Sequence, residues 1–184
     1  MRITGGVARG QLLKLPKNFA IRPTTERVRE AIFSMLASIE SDWSRVLDLY
    51  AGTGALGIEA LSRGADWTDF VDQEPRCCAI IKQNLDKIRL LEKTHIYCCS
   101  VSKALNFLDR AYSLVFMDPP YADKNIENII VQLGSPKYLI DESLVVIPHT
   151  SRLVLEEKYD SLHLIKKRQH GDTCISIYRK EVDN

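Results

Sequence analysis

The sequence predicts an α/β fold, doubly wound about a mostly parallel sheet. From Arg45 onward, short apolar runs of strand length alternate with segments of helical periodicity, the rhythm of a parallel sheet covered by helices on both faces. The first of those runs enters a glycine-rich turn, Ala51-Gly52-Thr53-Gly54, that opens a helix, and the second ends in an acid, Asp72. With 184 residues, 45% hydrophobic and 27% charged, the chain suits one domain with a proper core.

The elements follow in order. Residues 1–16 alternate short extended stretches with Gly5-Gly6 and Gly10, which reads as a basic β-hairpin. After Arg22-Pro23, Thr24 or Thr25 is placed to cap a helix whose Val28, Ile32, Met35 or Leu36, and Ile39 recur at helical spacing, with Glu26 in its first turn. Strands are expected at 46–50, 68–72, 95–99 and 113–117, with helices near 55–63, 75–87 and 101–108 between them. A helical piece at 125–133 and strands at 144–147, 162–165 and 174–178 complete the chain.

Composition excludes several classes. No apolar run reaches the roughly 18 residues that span a bilayer, and the N-terminus lacks the apolar core of a signal peptide, so a cytoplasmic protein is expected. Cys77, Cys78, Cys98, Cys99 and Cys174 stand in adjacent pairs or alone, without metal-ligand spacing. Reduced thiols and no metal are expected. The formal charge is +1, but residues 1–30 carry seven basic and two acidic groups, and residues 151–180 carry seven and four. Basic ends thus flank an acidic middle, a division suited to a phosphate backbone.

The glycine turn and Asp72 make half of a site. Glycine permits the tight turn and close ligand approach, and a carboxylate 18 residues after Gly54 is placed to accept both ribose hydroxyls, with Gln73 beside it. A dinucleotide and S-adenosylmethionine share that geometry. Asp48 separates them: four residues before the first glycine it would face the methionine amine and the sulfonium, whereas a pyrophosphate would be repelled there. Ser100, at the end of the third strand, is a weak candidate for the adenine amine.

The other half is Asp118-Pro119-Pro120-Tyr121, after the apolar run Leu114 to Met117. The prolines fix φ and lack N–H donors, so the segment presents acceptors beside a carboxylate, with an aromatic face for stacking. That suits the exocyclic amine of a base. At the carboxyl end of the fourth strand it faces the glycine turn across one crevice.

Together these residues resemble the 16S rRNA guanine-N2 methyltransferase family of RsmD type. The likeness runs from Arg2-Ile3-Thr4-Gly5-Gly6 and Arg9-Gly10 through Arg22-Pro23-Thr24-Thr25-Glu26-Arg27-Val28-Arg29-Glu30 and the glycine turn to Gly171-Asp172-Thr173. It implies a class I, Rossmann-like methyltransferase fold with a seven-stranded sheet, divided into a basic extension over 1–23 and a methyltransferase domain over 24–184. Three positions depart from the family pattern: Glu26 replaces Asp, Ser100 an acid and Pro148 a Glu.

The resemblance further implies S-adenosylmethionine as cofactor, bound by Asp48, Ala51, Gly52, Thr53, Gly54, Asp72, Gln73 and Ser100, and a catalytic set of Asp118, Pro119, Pro120 and Tyr121. Asp118 and the Pro119 carbonyl would accept the two N2 hydrogens while Tyr121 stacks on the guanine. Arg2, Arg9, Arg22, Arg27 and Arg29, with Lys166, Lys167 and Arg168, are assigned to RNA phosphates or pocket rims, although Arg22 and Arg29 could instead pair internally. The expected partner is 16S ribosomal RNA or the assembling small subunit, met by a monomer. Adenine N6, a protein glutamine, a catalytically silent assembly factor and a dinucleotide oxidoreductase are the rival readings.

Overall fold

Helix α1, Glu26–Ala37, begins where the threonine pair predicted, and Thr25 is the cap: its Oγ1 accepts from Val28 N at 3.3 Å. Glu26 occupies the first turn, and Val28, Ala31, Ile32, Phe33, Met35 and Leu36 are buried. The computed structural model describes residues 1–16, 24–120, 123 and 125–182.

Beyond α1 come β1 (Arg45–Leu49), α2 (Ala55–Ser62), β2 (Trp67–Asp72), α3 (Pro75–Lys87), β3 (Thr94–Cys98), α4 (Val101–Phe107), β4 (Tyr112–Met117) and α5 (Ile126–Leu133). Then follow β5 (Leu139–Thr150), β6 (Lys158–Tyr159), β7 (Leu162–His170) and β8 (Thr173–Lys180). The strands lie in the order β3-β2-β1-β4-β5-β8-β7-β6, parallel through β5 and antiparallel beyond. Seven strands were expected. The eighth is the two-residue β6 at the edge, too short to carry a periodic signal. Strands β5, β7 and β8 outrun their predicted limits: β7 continues through exposed polar residues to His170, β5 starts at Leu139 beside Tyr112 of β4 and runs on through buried Pro148 and His149, and β8 reaches buried Lys180, none of which extends an apolar run.

The alternation along β1 and β4 decides which side chains meet. Val46, Leu114 and Phe116 pack with α1, α2 and α3 on one face, and Leu47, Leu49, Val115 and Met117 pack with α4 and α5 on the other. Two apolar layers therefore clamp the sheet. Sequence order and sheet order part at β1, whose neighbours are β2 and β4. A crevice opens at such a switch point beyond the carboxyl ends of the strands, and Leu49 stands beside Met117 in register there.

The N-terminal hairpin forms as a loose antiparallel return. One bridge pair joins Arg2 to Leu12, supported by Ile3 N to Gln11 O at 2.9 Å and Leu13 N to Met1 O at 2.8 Å. Ile3, Ala8 and Leu13 are buried in the same cluster as α1 and α2, so packing on the domain replaces the ladder that a free hairpin would need. Gly6, at φ 77°, lies so close to α2 that a Cβ would sit 1.7 Å from Ser62 O.

Candidate active site

Three residues with positive φ, Tyr50 (57°), Gly52 (55°) and Gly54 (75°), turn the chain from β1 into α2. Tyr50 has a side chain in a conformation that costs strain, and its hydroxyl is tied to Asp123 Oδ2 at 2.7 Å. The turn is braced by two carboxylates. Asp48 Oδ2 accepts from Gly57 N at 2.9 Å, while Asp72 accepts from Gly52 N at 2.7 Å and Glu74 N at 2.9 Å.

Those acids sit where charge is costly. Burial pushes the Asp48 carboxyl well above the usual carboxylate range; the Gly57 N–H offsets part of this, and the charges of Asp118 and Asp72 add to it. Burial raises Asp72 as well, against the hydrogen bonds from Glu74 and Gly52. Asp118, the third, is pushed up to about 6 by burial, against a hydrogen bond from Thr24 Oγ1 at 2.5 Å. Asp48, with the charges of Asp118 and Asp72 acting on it, lines one space with both, an arrangement that favours a cationic occupant.

That space is a cavity of about 1330 Å³ at the switch point. Its floor is Asp48, the turn at 50–53 and Asp72; Asp118, Pro119 and Pro120 form one wall. His149 and the turn 170–173 form another, and Leu15, Thr24, Thr25 and Arg27 line the rim. His149 is buried and held by Ser176 Oγ, 2.9 Å from its Nε2, and burial lowers its pKa, so the ring stays neutral. Among the described residues no group of three or more His, Cys, Asp or Glu could hold a metal ion, and no helix is long and apolar enough to cross a membrane.

Of the residues expected from sequence, Asp48, Ala51, Gly52, Thr53, Asp72, Gln73, Ser100, Asp118, Pro119 and Pro120 line this one cavity. Gly54 shapes the turn from beneath, against Ile81 and Ile58. The Ser100 hydroxyl lines the cavity and also caps α4, accepting from Lys103 N at 3.3 Å, which occupies one of its two acceptor lone pairs. Tyr121 and Arg22 lie outside the described residues.

Among the cations, Arg27 is exposed on the rim, but Arg2, Arg9, Lys166, Lys167 and Arg168 do not line the cavity. Lys166 is half-buried and donates to Ser38 Oγ at 2.5 Å. Arg29 is a correction: it is fully buried, paired through Nε with Glu59 at 3.2 Å and donating to Arg2 O, so it has no path to a phosphate. Glu59, equally buried, also takes Arg63 at 3.0 Å and the Thr4 backbone and hydroxyl. A buried carboxylate with that many donors holds the N-terminal segment, α1 and α2 together.

Thr24 on Asp118, His149 and the 170–173 wall were not expected as parts of the site. For Thr24 the available signal was the doubled threonine, since one cap suffices for one helix.

The sequence matches the family described as conserved hypothetical protein 95 over residues 1–179. It is 32% identical to the putative rRNA methyltransferase YlbH of Bacillus subtilis, over 98% of this chain and 99% of that protein. It is also 32% identical to the ribosomal RNA small subunit methyltransferase D of Escherichia coli K12, over 98% and 90%. Among solved structures, the putative methyltransferase yhhF from Escherichia coli superimposes with a TM-score of 0.86 at 28% identity, covering 100% of this chain and 99% of that one. The class I methyltransferase fold and the resemblance read from the motifs are borne out by these matches. With residues 1–179 matched, the chain belongs to the conserved hypothetical protein 95 family, the family of RsmD.

Proposed function

We propose that this protein uses S-adenosylmethionine to methylate the exocyclic N2 of a guanine in small-subunit ribosomal RNA. The observation that carries it is the convergence of Asp48, Asp72 and Asp118 on one cavity at the β1/β4 switch point. The residues fit the cofactor, since a ligand bearing an ammonium and a sulfonium offsets the charges of Asp118 and Asp72 that act on Asp48. When bound, it supplies an electrophilic methyl group. Asp48 would hold the ammonium, and Asp72, which braces Gly52, would accept from the ribose hydroxyls.

On the opposite wall, Asp118 and the Pro119 carbonyl accept the two N2 hydrogens, raising electron density on nitrogen as positive charge develops. The methylated nitrogen is acidic enough to release its proton to Asp118 or water, so no histidine base is needed. Arg27 on the rim meets RNA phosphate, and the basic N-terminal residues 1–23 extend that contact ahead of the methyltransferase domain, 24–184. The names of the relatives, both ribosomal RNA methyltransferases, support this substrate. The protein acts as a cytoplasmic monomer on the assembling subunit.

The experiment is tritiated methyl transfer from S-adenosylmethionine to small-subunit RNA and to partly assembled particles, followed by nucleoside digestion. Label in N2-methylguanosine is the expected outcome. Label in N6-methyladenosine or in protein would move the reading to another amine.

A further inference from the structure

We propose that Thr24 is a positioning residue for methyl transfer: its hydroxyl holds Asp118 Oδ2 and leaves the other carboxylate oxygen, Oδ1, aimed at the amine. The inference rests on the reading of the cavity given above. Its ground is a difference among the three acids. Asp48 and Asp72 are held by backbone N–H groups, from Gly57 in one case and from Gly52 and Glu74 in the other. Asp118 is followed by two prolines, which have no N–H to offer. The donor it finds comes from a residue 94 positions away, Thr24 Oγ1 at 2.5 Å.

Thr24 is free for this task because Thr25 caps α1. It is β-branched, so its χ1 is stiff and its hydroxyl direction is set by the backbone ahead of the helix. A hydroxyl donating to a carboxylate is roughly twice as strong as a neutral pair. Two effects follow. The carboxylate is fixed in one rotamer, and its ionised form is favoured against the burial that opposes it. Docking of α1 against α2 through Arg29 and Glu59 sets where Thr24 lies, so the motif Arg22-Pro23-Thr24-Thr25 reaches the catalytic carboxylate through one hydroxyl.

The test compares Thr24→Val and Thr24→Ser with the unaltered protein. For Thr24→Val, kcat is expected to fall about tenfold, as for loss of one charge-assisted hydrogen bond, with S-adenosylmethionine affinity unchanged by calorimetry. The acidic limb of its rate profile moves to higher pH, and a carbon-13 titration of Asp118 moves the same way. Thr24→Ser restores both. Should Thr24→Val fail to fold, Thr24→Ala carries the same expectations. A variant whose rate falls while the limb and the Asp118 titration stay in place would give Thr24 a packing role and overturn the proposal, as would an unchanged rate. If the unaltered protein transfers no methyl group to guanine, the functional reading fails, and the titration still decides the Thr24 contact.

Discussion

The glycine-turn side of the cavity comes from one continuous stretch, Asp48 to Asp72, whereas the opposite side takes Asp118 from the end of β4, Thr24 from ahead of α1 and a wall from the β7–β8 turn. On the first side each carboxylate meets backbone N–H groups no more than 20 positions away. On the second, the supporting contact spans 94 positions. The first side can form once β1, α2 and β2 are paired; the second requires α1 docked and the antiparallel β5–β8–β7 ladder complete. A lesion far from the chemistry should therefore damage the second side more.

The largest effect is expected from Arg29→Met, which leaves Glu59 buried with fewer partners and should cost about 3–5 kcal/mol in urea unfolding. In whatever fraction stays folded, methyl transfer should fall further than S-adenosylmethionine affinity; equal losses would show that the two sides are not separable. Asp118→Asn keeps the shape and removes the charge. It should lower kcat by at least about a hundredfold while calorimetric cofactor affinity changes little. Asp48→Asn retains an acceptor for Gly57 N, so it should weaken cofactor binding about tenfold and leave the fold intact, the converse pattern.

The pH dependence sharpens the same contrast. Asp118 is a charge-assisted acceptor for both amine and transition-state charge only when ionised, and burial has raised its carboxyl to about 6. Below that pH the protonated form dominates, so kcat at saturating cofactor should fall about tenfold per pH unit, and the limb should vanish in Asp118→Asn. The smallest effect belongs to Arg27→Ala on the rim. RNA affinity should drop a few-fold, the salt slope should shrink by about 1 and unfolding should move by less than about 0.5 kcal/mol. A large stability loss there would contradict its exposure.

Arg27 and Arg29 also show where sequence reading stops. Two positions apart on one helix, they lie about 200° apart around its axis, and only Arg29 turns toward the buried side beside Val28 and Ile32. Its partner Glu59 lies 30 positions away, on α2. Arg29 belongs to a motif quoted for the family likeness, yet its pairing with Glu59 leaves no periodic trace. Nor did the doubled threonine say which residue caps the helix and which reaches Asp118. The N-terminal return shows the same limit: its glycines mark the turns and its arms pair antiparallel, but that Ile3, Ala8 and Leu13 also pack on the α1 and α2 core depends on that core.

The amino-acid sequence alone determined the order of strands and helices, the glycine turn, the acids at the ends of β1, β2 and β4, and the class of reaction they suit. Those features rest on local rules: periodicity of apolar residues, glycine at positive φ, and proline without an N–H. The tertiary structure decided which polar groups meet. It buried Arg29 on Glu59, set Thr24 on Asp118 and brought the 170–173 turn to the cavity. Such pairings follow from strand register and from the crossover that places β4 beside β1, and a buried charge takes whichever partner that geometry brings within reach.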